Sequence, residues 1–335
     1  MASTRPGLGR GERAADFVLP LLDGASTRFY SRAGGAPTLL AFCASGELQS
    51  LVKLNRELAE AAALFAVVRG ELEAGAEAAF PIFADGESKV RQAYRLAAGD
   101  AATLFVLDAN LRVLQSMALE GIETAEVRAV LDASISAAEP RIVAAQAPLL
   151  LVSNALEAEI CDHLLDVWER GNEETGVEES SAGQRRDAID RGAKRRRDHV
   201  VQDQGLVQVL VQTIGRRVLP EVYKAFAYRA THFEGFKIVC YDAADSGFFD
   251  AHRDNLSPST AHRHFALTLN LNGDYEGGYL RFPEYGADLY RPAPGGAAVF
   301  SCSHLHEVTQ VEAGRRFALL SFLYAQDSAR ARPPT

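Results

Sequence analysis

Long apolar runs are missing from this sequence. Nowhere do apolar residues approach the roughly 18 consecutive positions a membrane-spanning helix needs, so no membrane partner is expected. The start, Met1 to Arg10, lacks the apolar stretch of a signal peptide. Positive charge is also short: 35 Lys and Arg face 44 Asp and Glu, a net charge of -9. That balance argues against a general polyanion-binding surface, so nucleic acid is not expected as a partner. Cysteine is scarce. The four residues Cys43, Cys161, Cys240 and Cys302 stand alone, with no CxxC pair. They read as reduced, mostly buried thiols of a cytoplasmic protein.

What is present is a chain of 335 residues, 47% hydrophobic and 24% charged, which suits two globular domains. Its chemistry concentrates between Phe236 and Tyr324. The flanks Phe236 to Tyr241 and Phe265 to Leu271 are rich in β-branched, aromatic and apolar residues, with Gly, Asp and Pro between them, which predicts strands and turns. If His252 ends such a strand, the period of two puts Asp254 on the same face. An imidazole beside a carboxylate suits iron or zinc. His306 follows the apolar strand Ala297 to Phe300 and can complete a facial set of two histidines and one carboxylate, the ligand set of non-haem Fe(II) oxygenases. Arg316, ten residues past His306, can pair bidentately with a carboxylate. Any one of the eight histidines, taken alone, is more often a surface or turn residue. Spacing, strand context and the trailing arginine together reverse that reading.

Here the stretch resembles the prolyl 4-hydroxylase-type branch of the 2-oxoglutarate/Fe(II)-dependent dioxygenases. The likeness rests on His252-Arg-Asp254, His306-Glu-Val308 and Arg316. Cys240-Tyr241, Asn270-Leu-Asn272, Tyr275-Glu-Gly-Gly278 and Pro294-Gly295 add to it. It is specific over about residues 230 to 326 and looser back to about 147. The resemblance implies that His252, Asp254 and His306 hold Fe(II). It also implies that Arg316, rather than Arg315, receives the far carboxylate of 2-oxoglutarate. Tyr241 stands where relatives often have a tyrosine lining the co-substrate pocket, and Asn270 where some carry a second tyrosine. Both are placed in that pocket. Asp254 excludes the halogenating relatives, which have a small residue there. The implied activity is hydroxylation of a C–H bond with release of succinate and CO2, using O2, with ascorbate as an accessory reductant.

The chain ahead of this core alternates strands and helices. Residues 1 to 12 read as a mobile tail. Phe17 to Gly24 is an apolar run closed by Asp23-Gly24, and Pro37 to Cys43 is a buried strand. Leu48 to Phe65 has helical spacing, Phe65 to Val68 and Phe80 to Phe83 read as strands, and Glu87 to Tyr94 as a short helix. Thr103 to Asp108 and Arg112 to Ser116 form a hairpin, and a helix with Thr124 as N-cap runs to about Ala138. This order, with Asp16-Phe17-Val-Leu, Phe80-Pro-Ile-Phe-Ala-Asp85 and Ala93-Tyr94, resembles a peroxiredoxin of the thioredoxin fold over about residues 8 to 138. A redox-active thiol belongs at the start of the helix after the central strand. There the chain reads Ala44-Ser-Gly-Glu47, and Ala102 replaces the usual cis-proline. The expectation is a peroxiredoxin-like module without peroxidase activity, able to support a homodimer.

Residues 139 to 148 read as a linker, and 149 to 328 as the dioxygenase domain. Leu149 to Val152 is a strand and Asn154 caps a helix over Leu156 to Arg170. Residues 171 to 199, with the run Arg185 to Asp198, read as a solvated or mobile loop that lies over the active-site mouth in the resembled family. Leu206 to Phe226 is one long amphipathic helix. The last strand places Arg316, Ala318, Leu320, Phe322 and Tyr324 on one face. The fold expected is an α/β thioredoxin-like domain followed by a double-stranded β-helix, or jelly roll, with buttressing helices. Two rival functions differ in class: a thiol peroxidase acting through Cys43, and a non-catalytic metal-binding protein. The primary substrate, a prolyl-type protein residue, an amino acid or a small metabolite, stays open.

Overall fold

A computed structural model of the chain describes residues 6–22, 24–69, 79–97, 99–133, 140, 142–181 and 184–326, with backbone only over 177–188. The chain divides into two compact units, Met1–Pro140 and Arg141–Thr335. No helix among the described residues is long and apolar enough to cross a membrane.

The N-terminal unit is built on five strands in the order Ile82–Ala84, Ala63–Val68, Thr38–Cys43, Thr103–Leu107, Val113–Ala118. The first three are parallel, and the last two join antiparallel as the expected hairpin. Both faces are covered, so the central strand is apolar throughout. Leu39, Ala41 and Cys43 face the helices Leu48–Leu58 and Thr124–Asp132, while Leu40 and Phe42 face an aromatic layer with Phe29, Phe83, Tyr94 and Phe105. This is the thioredoxin-like α/β fold. Several boundaries differ from the sequence reading. The first helix stops at Leu58, because Ala63–Val68 is recruited whole into the parallel sheet. Glu123, not Thr124, occupies the N-cap, and the Thr124 hydroxyl donates to Glu57. Residues 6 to 12 are anchored: Leu8 and Glu12 are buried and Gly11 N donates to Val113 O at 2.7 Å. Asp23 of the expected turn and residues 134–138 of the expected last helix lie outside the described residues.

The C-terminal unit consists of two antiparallel sheets. The larger runs Leu149–Val152, Ala297–Ser301, Phe265–Asn270, Val311–Tyr324, Lys237–Asp242, Arg197–Val200, Glu173–Glu174. The smaller runs Lys194–Arg195, Phe248–His252, His306–Val308, Leu280–Arg281, Leu289–Tyr290. Side-chain alternation along Val311–Tyr324 serves both layers of core. Ala318, Leu320 and Phe322 pack with Val239, Ala266, Phe282 and Phe300 between the sheets. Phe317, Leu319 and Leu323 pack outward against the helices Ala158–Arg170, Gln204–Arg217 and Leu219–Phe226. Two facing antiparallel sheets with helices behind the larger one make the jelly roll of the double-stranded β-helix type.

Three sequence expectations change here. The long helix is two helices, split at Val218 ahead of Pro220, whose ring cannot continue an α-helix from the preceding turn. Glu157 rather than Asn154 caps the helix Ala158–Arg170, and Asn154 takes a left-handed turn (φ 53°). Residues 171 to 199 are not a loop. They contribute strands to both sheets and a hairpin, Val177–Ser181 with Gln184–Ala188. Ala147, at the end of the expected linker, is buried in the inter-sheet core.

Candidate metal centre and co-substrate pocket

His252 ends the strand Phe248–His252 and stands directly opposite His306 on the neighbouring strand. Asp254 lies beyond the strand end, so its place is set by hydrogen bonds rather than by pleat alone. Its N–H donates to Cys302 O at 3.0 Å, and its carbonyl accepts from Arg263 Nη1 at 3.2 Å. Arg263 is itself held by Glu234 through Nε and Nη2 at 2.8 and 2.6 Å. The result brings three ligand atoms within 4.8 Å of one another. Asp254 Oδ1 is 3.6 Å from His252 Nε2, and Oδ2 is 3.4 Å from His306 Nε2.

The tautomers follow from the backbone. His252 Nδ1 donates to Asp250 O at 2.7 Å and His306 Nδ1 to His304 O at 3.0 Å. A carbonyl only accepts, so each neutral ring keeps its proton on Nδ1 and turns an Nε2 lone pair toward Asp254. Burial pushes His306 below the ordinary histidine value, against the pull of the Asp254 carboxylate. Burial raises the Asp254 carboxyl, but His306, His252 and Arg263 outweigh it and hold the group below the usual carboxylate range. Two neutral imidazoles and an ionised carboxylate are the donor set that a divalent first-row metal takes. Phe249 stacks on His252 (3.7 Å between centroids), and Phe300 meets His306 edge-on at 4.7 Å. The rings set apolar surface against both imidazoles.

The same residues open into a cavity of about 590 Å³ that Arg316, Tyr241, Thr268 and Phe322 also line. Arg316 and Tyr241 are neighbours across the strand ladder. Arg316 is 3% exposed, its guanidinium lies 5.4 Å from the Tyr241 ring, and its Nη1 has no hydrogen-bond partner. A buried guanidinium with an open N–H is costly unless an anion completes it. Gly278 (φ 61°) allows the approach, since a Cβ there would stand 3.1 Å from Arg316 Cδ and 2.7 Å from Val311 Cγ2. Arg315 points elsewhere, to Glu169 at 2.8 Å.

Asn270 is not brought to this pocket. Its amide donates to Asn272 O and Pro292 O at 2.9 Å, and its oxygen accepts from the Tyr275 hydroxyl, so it is committed to a structural turn. Three other histidines of this unit are engaged elsewhere: His262 pairs with Glu234, His264 stacks on Tyr228 and His304 stacks on Tyr285. Sequence reasoning missed Arg196, Asp198 and Lys194, which line the cavity from the segment read as a loop. Alternation of Arg196 and Asp198 next to a β-branched pair, Val200-Val201, was the available signal.

Residues 236–324 match the family model described as the 2OG-Fe(II) oxygenase superfamily. The C-terminal unit carries a 2OG-Fe(II) oxygenase domain. That family implies Fe(II), 2-oxoglutarate and O2, and the donor set and the open Arg316 fit the first two. No curated protein matches the sequence. Among solved structures, the chain is similar to a prolyl hydroxylase from Trichoplax adhaerens in complex with a hypoxia inducible factor peptide. That likeness has 15% identity over 54% of this chain and 86% of that one, with a TM-score of 0.44. A prolyl-4-hydroxylase from Pseudomonas putida gives 16%, 54%, 94% and 0.40. The peroxidoxin BcpB from Mycobacterium tuberculosis is similar at 22% identity over 38% of this chain and 99% of that one, with a TM-score of 0.33.

In the N-terminal unit, Cys43 is 2% exposed and faces the core. Burial, reinforced by Glu47 and opposed by Arg91, pushes its thiol up to about 12. Glu47, at the helix start where a reactive thiol would sit, accepts from Ala44 N at 2.7 Å and closes the turn. Cys43 is therefore a neutral core residue at physiological pH and not a nucleophile.

Proposed function

We propose that the oxygenase domain hydroxylates a C–H bond of its substrate in an Fe(II)- and 2-oxoglutarate-dependent reaction that releases succinate and CO2. The observation that carries this is the junction, in one cavity, of the His252–Asp254–His306 set with a buried arginine whose Nη1 is uncommitted. Fe(II) with 2-oxoglutarate and O2 supplies the oxidising chemistry when bound. The chain's own residues do the rest. His252, Asp254 and His306 would hold the metal on one side and leave the cavity side open. Arg316 would receive the far carboxylate of the co-substrate and fix its direction along the cavity. Phe249, Phe300 and Phe322 keep the space apolar around the ligands, which favours oxidation of a substrate carbon over reaction with water. A prolyl-type protein residue, a free amino acid or a small metabolite is the primary substrate, and ascorbate the accessory reductant. The N-terminal unit, lacking a reactive thiol, serves as a self-association or docking module.

The test is succinate formation from 2-oxoglutarate by anaerobically reconstituted protein after exposure to O2. Formation should require Fe(II) and disappear in Arg316→Ala and Asp254→Ala. An Asp254→Ala protein with wild-type turnover would sink the assignment.

A further inference from the structure

The charged run that reads as solvent-facing contains an enclosed ion pair. Arg196 has an 8% exposed side chain and Asp198 a 1% exposed one. Arg196 Nε and Nη2 donate to Asp198 Oδ1 and Oδ2 at 2.6 and 2.7 Å, a bidentate pair. That leaves Nη1, which donates to the Tyr241 hydroxyl at 3.2 Å. Behind the pair, the strand Arg197–Val200 is locked onto Lys237–Asp242, the strand that carries Tyr241.

A guanidinium has donors and no acceptor. The Tyr241 oxygen must therefore accept from Arg196, and its own proton needs an acceptor elsewhere. Tyr241 is 2% exposed, and no protein acceptor for that proton lies among the described residues. Its other charged neighbour, Arg316 over the same ring, cannot accept either. Buried donors without a partner are rare in folded proteins. An anion against Arg316 would supply what both groups lack. We infer that Arg196 is a positioning residue: held by Asp198, it fixes the Tyr241 hydroxyl as a hydrogen-bond donor to the bound 2-oxo acid. This inference rests on the oxygenase reading above.

The experiment is calorimetric titration of 2-oxoglutarate into anaerobic Mn(II)-loaded full-length protein. The variants are Tyr241→Phe, Arg196→Gln, Arg196→Lys and the double variant Arg196→Gln/Tyr241→Phe. Loss of one hydrogen bond to a charged group weakens binding about tenfold, so Tyr241→Phe and Arg196→Gln should each raise Kd by about that factor. The double variant should be no worse than about the larger single effect, because the two residues act through one hydroxyl. Arg196→Lys keeps a donor but loses the two-point hold on Asp198, so its affinity should lie between wild type and Arg196→Gln. In turnover with Fe(II), KM for 2-oxoglutarate should rise while kcat at saturation holds within about twofold. A merely structural residue would lower kcat and metal retention and would not be partly rescued by lysine. Single effects that multiply in the double variant, or wild-type affinity in Arg196→Gln, would overturn the inference. Should Arg196→Gln not fold, Asp198→Asn crossed with Tyr241→Phe carries the same test with the same two outcomes. Wild-type protein that binds no 2-oxoglutarate overturns the oxygenase reading itself, before any variant is compared.

Discussion

The N-terminal unit buries Arg91 and Arg112 at 5% and 3% exposure. Each is answered by its own backbone: Arg91 donates to Ala97 O and Asp100 O, and Arg112 donates twice to Gly11 O. The C-terminal unit buries Arg316 to the same 3%, yet leaves Nη1 without a partner beside three converging ligand atoms. Similar burial thus has opposite meanings. A buried charge satisfied within the chain ties loops to strands. One left open inside a cavity marks where an anion belongs. Cys43 sits under a helix as core, and the converging ligand atoms belong to the C-terminal unit.

The largest effect that could break this comparison is loss of a metal ligand. Changing the partners behind metal ligands already costs 10–100-fold, so Asp254→Ala should lower iron-dependent succinate formation by more than about 100-fold. Iron content after gel filtration should fall with it. Next comes Arg316→Ala. Removing one partner of a buried charge pair costs about 2–5 kcal/mol, which predicts 2-oxoglutarate binding weaker by about 100-fold with metal retention unchanged.

Stability sharpens the contrast further. Arg91→Met removes the guanidinium's hydrogen bonds to the Ala97 and Asp100 carbonyls and should destabilise the N-terminal unit by about 2 kcal/mol. Arg316→Met removes an uncompensated buried charge and should be neutral or stabilising in metal-free protein, by about 1 kcal/mol. Hydrogen exchange read separately in each unit distinguishes the two outcomes. A loss of stability in Arg316→Met equal to that in Arg91→Met would remove the distinction.

The smallest expected effect belongs to Cys43. With its thiol raised by burial from 9.0 to about 12, native alkylation at pH 8 should run about a thousandfold slower than that of an ordinary thiol. Because the folded value is raised, the neutral buried thiol contributes stability below about pH 9. That contribution is lost as pH rises toward 12. Cys43→Ser should leave succinate formation within about twofold. Rapid Cys43-dependent peroxide consumption would contradict the assignment of that unit.

The residues that fold locally or sit on regular strands were readable from the chain. His252, His306 and Arg316 could be placed because the family resemblance picks them out along the chain, and Val311–Tyr324 alternates cleanly between two cores, which gives Arg316 its face. The stretch 171 to 199 was not readable for a definite reason. Its strands Lys194–Arg195 and Arg197–Val200 pair with residues about 37 to 55 positions away, and its buried charges neutralise each other, so locally it looks like solvated chain. Asn270 was misplaced because strand position alone cannot show that Pro292, Asn272 and Tyr275 already occupy its amide. The break at Val218 was legible in Pro220 and was overridden by a continuous apolar stripe.

On the proposed function, metal and 2-oxo acid share one cavity through His252, Asp254, His306 and Arg316. Calorimetry of 2-oxoglutarate binding to wild-type protein, metal-free and Mn(II)-loaded under anaerobic conditions, tests it most directly. The account predicts saturable one-to-one binding that requires the metal. Metal bound at this site with no heat from 2-oxoglutarate would contradict it, and the barrel would then be a metal-binding fold without this co-substrate.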